Sequence, residues 1–442
     1  MHSPSLIKGL WKSWGSWVMS NLPEGWIETT LGEIAEINPR ESIKKGSLAK
    51  SVPMDKLASF DKRITGFDTK EFKGGCKFRN GDTLLARITP CLENGKTAYV
   101  DILDDGEIGF GSTEYIVIRE KEGLSNKQFL FYLATSPRFR EIAIKCMTGT
   151  SGRQRVQTDV LVNKLFKLPL LPEQKAIADM LSSFDEKIEL LREQNKTLET
   201  LAQTIFKEWF VNFNYPAPQP PEGGDGGKSP SGDLGAEMVD SELGQIPKGW
   251  RVGRLSDFGK IVCGKTPSKS KAEYFGGDVP FIKIPDMHNN MFIVETTDTL
   301  TQEGKASQAL KTIPKNSISI SCIATVGLVS ISIKESQTNQ QINTIVPKEE
   351  YLREFIFLGM QKRKKYLMDI GSGGTATLNV NTGVFSKIES VMPTDDVLEL
   401  FSTTVVPLFD KILENCLQHQ ALSKTRDALL PKLMSGKVRV ES

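Results

Sequence analysis

A short phrase recurs at long range, and it constrains the fold more than any other feature of the chain. Pro23-Glu24-Gly25-Trp26 returns as Pro247-Lys248-Gly249-Trp250, 224 positions later, and Leu31 and Ile37 match Leu255 and Ile261 at the same offset. A second landmark follows in the same order. Gly149-Thr150-Ser151-Gly152 corresponds to Gly371-Ser372-Gly373-Gly374, each after an aromatic run (Phe129 to Leu133; Phe355 to Leu358) and a basic patch (Arg138, Arg140; Lys362 to Lys365). A long helical pattern is the third. Three landmarks in one order argue for two copies of one unit: an opening strand, a globular module and a long helix.

The 442 residues are 39% apolar and 25% charged, an ordinary globular balance with material for more than one core. The predicted organisation is an N-terminal extension over 1–20, a first module over 21–170, a long helix over 171–213, a linker over 214–245, a second module over 246–394, a second long helix over 395–436 and a tail over 437–442. The extension holds Leu10, Trp11, Trp14, Trp17 and Val18, too short an apolar run to span a membrane. A start at Met19 would remove it. The linker carries Pro216, Pro218, Pro220 and Pro221 and a glycine run, so it cannot bury a core. Its Gly227-Lys228-Ser229 resembles a phosphate loop, but Glu222 stands where that loop needs glycine.

Each long helix carries a seam with steps of four and three. The first runs Ile177, Leu181, Phe184, Ile188, Leu191, Asn195, Leu198, Ala202, Ile205, Trp209. The second runs Phe401, Val405, Leu408, Ile412, Asn415, His419, Leu422, Arg426, Leu429, Leu433. Pro172 opens the first, Gly436 stops the second, and Pro407 predicts a bend or break. Two seams in one chain most simply bury each other as an antiparallel coiled coil. The stretch from Ile177 to Trp209 would span about 48 Å. Such a pair is either a core hairpin or a ruler between modules. Asn195 either fixes its register or faces a polar edge.

Both modules read as α+β. Strand-like runs occur at Thr83–Ala86, Ala98–Val100 and Tyr115–Ile118, then at Ile318–Ser321 and Leu328–Ile333. Helices are predicted around Gln128–Cys146 and Glu350–Met368. Basic residues collect at predicted turns: Lys44, Lys45, Arg63, Lys73, Lys77, Arg79, Arg87, Arg153 and Arg155 in the first module, Lys265, Lys269, Lys271 and Lys283 in the second. Loops are where phosphate-holding and base-reading side chains sit. The stretch Arg153, Gln154, Arg155, Gln157 and the amide cluster Thr338-Asn339-Gln340-Gln341 match the major-groove chemistry in which Arg reads guanine and Asn or Gln reads adenine. Taken singly, each lysine reads more readily as solvated surface than as a phosphate contact, and each cluster could equally be a hydrogen-bonded turn. The net charge of +2 gives DNA binding no help unless the positive charge is clustered.

The six cysteines show no C-x-x-C pair and there are only three histidines, so neither a zinc site nor a disulfide framework is expected, and the cytoplasm is the expected compartment. No dinucleotide fingerprint, Walker A, H-E-x-x-H or G-x-S-x-G is present, and Asn38-Pro39-Arg40 is a turn rather than a methyltransferase tetrapeptide. A chain of two modules without a catalytic constellation reads as a recognition protein. The rivals are a nuclease or methyltransferase with a scattered site, and a coiled-coil scaffold.

Several phrases, in order, resemble the specificity subunits of type I restriction–modification systems. They are Leu22-Pro23-Glu24-Gly25-Trp26 with Leu31-Gly32-Glu33-Ile34; Gly81-Asp82-Thr83-Leu84 with Ala86-Arg87-Ile88-Thr89-Pro90-Cys91; and Leu171-Pro172-Glu173-Gln174. Asp240 to Gly244 before Ile246 to Trp250, Gly264 to Ser268 with Tyr274 to Gly277, and Arg426 to Leu433 continue the likeness. The resemblance implies two tandem target recognition domains, each reading half of a split site in double-stranded DNA. It implies helices that set the unread gap and dock two methyltransferase subunits, with restriction subunits joining through them. It places S-adenosylmethionine, ATP and magnesium in those partners, leaves this chain non-catalytic and without a bound cofactor, and involves no membrane.

Overall fold

A computed structural model describes residues 22–150, 152–216, 237–372 and 378–440. The expected extension, most of the expected linker, Ser151 and Gly373-Gly374 lie outside the described residues. The chain forms two compact units, one made of the residues up to Lys187 with those from Leu422 onward, the other of Ile188–Ala421.

In the first unit, Trp26–Thr30 pairs antiparallel with Leu165–Pro169. Thr30 then caps a short helix, Leu31–Ile34, and Glu33 reaches back to the Thr30 N–H in a reciprocal capping box. Two four-stranded sheets follow. One has the order Ala35–Ile37, Tyr115–Glu120, Thr83–Ala86, Thr97–Tyr99, all antiparallel. The other has the order Asp68–Glu71, Leu48–Val52, Gly109–Gly111, Cys76–Phe78, with its central pair parallel.

The second unit repeats this topology. Arg251–Arg254 pairs with Glu389–Met392. One sheet runs Gly259–Cys263, Ile342–Pro347, Ile318–Ser321, Val329–Ser332, extended by Phe292–Ile293. The other runs Asp298–Leu300, Phe275–Ile282, Ser336–Thr338, Thr312–Ile313, again with a parallel central pair. The duplication read in the sequence is therefore a duplication of strand order and pairing sense.

The helix expected around Gln128–Cys146 is two helices, Lys127–Thr135 and Pro137–Lys145. Ser136 is extended at φ −62°, ψ 144°, because the Pro137 ring clashes with a helical residue before it. Its hydroxyl accepts from Phe139 N and caps the second helix. The helix expected around Glu350–Met368 divides likewise into Arg353–Lys362 and Lys364–Gly371, preceded by a single turn at Glu350–Leu352.

The long helices span Leu171–Phe210 and Asp395–Leu433. The second runs through Pro407 without interruption. In the first unit Ile177, Leu181 and Leu433 are buried, while Phe184, Leu422 and Leu429 are half-buried. Arg426 there meets Asp185, and Glu173 accepts from both Trp26 Nε1 (3.1 Å) and Arg439. In the second unit Ile188, Leu191, Ala202, Trp209, Phe401, Val405 and Ile412 are buried, with Leu198, Ile205 and Leu408 half-buried. Asn195 faces a fully buried Asn415, which donates to it at 2.8 Å, and the Trp209 and Phe401 rings pack at 5.5 Å. Partner numbers fall on one helix as they rise on the other, so the pairing is antiparallel. Phe206 and Phe409 are also buried, outside the expected seams. Each helix serves a module as well as its partner, which widens the apolar stripe beyond a two-position seam.

Candidate nucleic-acid interface

In each unit three loops are tied together at the strand ends by one pattern of backbone hydrogen bonds. In the first, Arg87 N donates to Glu114 O, Val156 N to Arg87 O, and Thr89 N to Gln154 O. In the second, Cys322 N donates to Gln341 O, Val380 N to Cys322 O, and Ala324 N to Leu378 O. An isolated bridge accompanies each set, Ile88 with Arg155 and Ile323 with Asn379. The backbone frame is thus shared, while the side chains mounted on it differ.

Four of the sequence candidates meet at the first frame. Arg155 grips Glu114 side-on, with Nε 2.9 and 3.0 Å from the two carboxylate oxygens and Nη2 at 2.7 Å from one. That pairing raises the Arg155 pKa. Arg87 approaches the same carboxylate at 4.0 Å, and its Nε has no hydrogen-bond partner. Gln154 lends its backbone to the frame, and Arg153 is exposed on the same return loop.

Lys77 and Arg79 belong to a separate cluster. Lys77 Nζ donates to the Glu41 carbonyl at 2.6 Å and lies 5.4 Å over the Phe72 ring. Arg79 Nη2 donates to the Glu41 carboxylate at 2.7 Å, and Arg119 bridges Glu41 and Asp82 at the same distance. Burial pushes the Glu41 carboxyl up, but hydrogen bonds from Arg119 and Arg79 outweigh it and hold the group below the usual carboxylate range. Arg63 and Lys73 lie on exposed segments, Lys73 Nζ being 4.0 Å from Glu71.

In the second unit Lys265, Asn339 and Gln340 come together. Lys265 N donates to Thr338 O, Asn339 is buried with its amide on Gln341 at 3.0 Å, and the exposed Gln340 accepts from Thr266 Oγ1 at 2.7 Å. A Cβ on Gly264 would lie 2.1 Å from Asn339 O, so this approach requires glycine. Lys269 is exposed on the loop beyond, and Lys271 donates to the Tyr274 hydroxyl at 3.0 Å. Lys283 follows Ile282, whose carbonyl accepts from Asn339 N, and its own side chain is ion-paired with Asp298 and lies over the Phe281 ring.

Sequence reasoning missed the carboxylates. Glu41, Asp82 and Glu114 pair with the first unit's arginines; Glu41 and Glu114 stand in no motif, and Asp82 is legible only as part of the Gly81-Asp82-Thr83-Leu84 phrase, not as an arginine's partner. It also missed Lys62, which sits 5.0 Å over Tyr99 and 5.6 Å over Tyr132 while donating to Gln128. Burial pushes the Lys62 pKa down. Among the described residues no group of three or more His, Cys, Asp and Glu side chains could hold a metal ion, and no helix is long and apolar enough to cross a membrane. The six cysteines are free thiols.

Comparison with known proteins places this geometry. The type I restriction modification DNA specificity domain matches residues 23–200 and 247–395. The specificity subunit of the type I restriction enzyme HindI from Haemophilus influenzae is 38% identical over 416 residues, which is 84% of this chain and 90% of that protein. The MjaIX specificity subunit of Methanocaldococcus jannaschii is 27% identical, covering 73% of this chain and 71% of that one. The crystal structure of a type I restriction–modification S subunit from M. genitalium shares the fold, with a TM-score of 0.55, 15% identity and coverage of 95% of this chain and 98% of that one. Both halves of the chain match one domain description, with a relative alike over nearly its whole length. The chain belongs to the type I restriction–modification DNA specificity family.

Proposed function

We propose that this chain is the sequence-specificity subunit of a type I restriction–modification complex, with each module reading one half of a bipartite DNA target. The observation that carries this reading is the pair of equivalent loop frames. They share strand order and three backbone hydrogen bonds, yet one presents Arg87, Arg155 and Glu114, and the other Asn379 and Gln341 with a buried Cys322 in the place of Arg87. Two copies of one scaffold with different exposed chemistry suit the reading of two different short sequences. Basic side chains outside the frames, such as Lys73 and Lys269, would hold phosphates.

The paired helices would set the unread gap and dock two methyltransferase subunits, through which the restriction subunits join. The reactions, with their S-adenosylmethionine, ATP and magnesium, would belong to those partners. The cytoplasm is the compartment this role requires. Removing one heptad from both long helices should change the preferred gap and leave the bases read unchanged, as methylome sequencing of a host carrying the complex would reveal. Replacing residues 21–170 with the module of another family member should alter one half-site only. The purified chain alone should neither methylate DNA with S-adenosylmethionine nor cleave it with a divalent metal; turnover would defeat this reading.

A further inference from the structure

Arg155 and Glu114 occupy positions that the backbone frame makes equivalent to Asn379 and Gln341. The Ile88–Arg155 bridge matches the Ile323–Asn379 bridge, and Glu114 O and Gln341 O accept from the matching N–H groups of Arg87 and Cys322. The Arg155 side chain is 44% exposed and that of Glu114 24%. An ion pair that open to water contributes little to folding, so stability does not explain its well-formed side-on geometry. The pairing uses Nε and one N–H of Nη2. It leaves the Nη1–Nη2 edge as a two-donor fork.

The carboxylate decides what that fork can meet. Glu114, whose oxygen lies 2.7 Å from Arg155 Nη2, offsets the charge with which Arg155 would draw a phosphate. It leaves the fork free to donate to an uncharged base edge. Guanine offers O6 and N7 as paired acceptors to the Arg fork, and the cytosine opposite offers its N4 amino group, which needs an acceptor such as a carboxylate. The second frame carries no ionised group at either position. Exposed Asn379 instead presents an amide, the partner of adenine N6 and N7.

We propose that Arg155 and Glu114 together read one G·C pair in the half-site of the first module, and that Asn379 reads an A·T pair at the matching place in the other. This rests on the function proposed above and adds the bases that one pair of residues selects. Glu114 also holds the Arg155 side chain in its reading rotamer before DNA arrives, which lowers the ordering cost of binding.

The test uses the assembled methyltransferase–specificity complex on duplexes of its own target, with each guanine of the first half-site replaced in turn by 7-deazaguanine, which lacks the N7 acceptor. One replacement should weaken wild-type binding roughly tenfold. The Arg155→Asn complex should bind natural and replaced duplexes equally. Arg155→Lys, which keeps the charge but not the fork, should lose most of the discrimination. If no guanine of that half-site is sensitive, the inference is overturned on wild-type protein alone, whatever the variants do. Sensitivity that persists in Arg155→Asn overturns it as well. A complex that shows no sequence-selective binding to any natural duplex would instead sink the function itself, a result reached before any modified base is used.

Discussion

Replacing Asp185 with alanine strips two buried neighbours of their partner. Tyr132 Oη donates to one Asp185 oxygen and Arg426 Nη1 to the other, both at 2.5 Å. The side chains of Asp185 and Arg426 are 9% and 14% exposed. Breaking a buried pair by deleting one member costs about 3–5 kcal/mol, because the remaining charge stays buried. Asp427, 62% exposed, lies 2.8 Å from Arg426 and offers partial compensation, which sets the expectation near the lower limit, about 3 kcal/mol. Hydrogen exchange in the Lys127–Thr135 helix and in Leu171–Lys187 should then lose protection by roughly a hundredfold. At the 224-residue offset the second unit carries buried Phe409 and Ala202 in place of Asp185 and Arg426. The double variant Asp185→Phe with Arg426→Ala keeps nearly the same total volume and removes both charges together. It should recover protection to within about 1 kcal/mol of the parent, as apolar replacement of a buried pair does elsewhere. A loss below tenfold in the single variant, or a double variant as labile as the single, would refute the reasoning.

Asn415→Leu alone should lower stability by about 1–3 kcal/mol by leaving Asn195 Oδ1 without its donor, whereas Asn195→Leu with Asn415→Leu should unfold no earlier than the parent in a denaturant titration. Gly264→Ala forces a Cβ to within 2.4 Å of both the Thr338 and Asn339 carbonyls, so protection should fall in the second module's loops and selective methylation at its half-site should be lost first. Hydrogen bonds from Thr30 N and Thr29 Oγ1 hold the Glu33 carboxyl below its ordinary range, so its contribution is present above the unfolded pKa and lost as pH falls. Glu33→Gln should therefore flatten the acid side of the stability profile between roughly pH 5 and 3, read by thermal melts across that range.

The duplication was legible because tryptophan, glycine and proline mark turns and docking points at fixed offsets. The central strands Thr83–Ala86, Tyr115–Glu120 and Ile318–Ser321 were legible because they are fully or largely buried and rich in apolar residues. The second sheet of the first unit was not. Its edge strand Asp68–Glu71 reads Asp-Thr-Lys-Glu and is almost wholly exposed, so no alternation marks it. The break at Ser136 could have been read from Pro137, whose effect on the residue before it overrides a strongly helical run. At the candidate interface Arg79, Arg87, Arg153 and Arg155 were visible by type and Arg119 was not, and the acids Glu41 and Glu114 come from segments remote in sequence from the arginines they bind. Only the strand pairing brings Glu114 to Arg155 or Glu41 to Arg119.

Glu173 binds the indole of Trp26 and the guanidinium of Arg439 on one carboxylate. The first strand of the fold and the stretch after its last helix are thereby pinned side by side. A short peptide fusing these two neighbourhoods would turn the polypeptide into a loop without ends, to be reopened between the two modules. Such a permuted molecule would present its halves in reversed genetic order, with the Trp26–Glu173–Arg439 contact at the new junction.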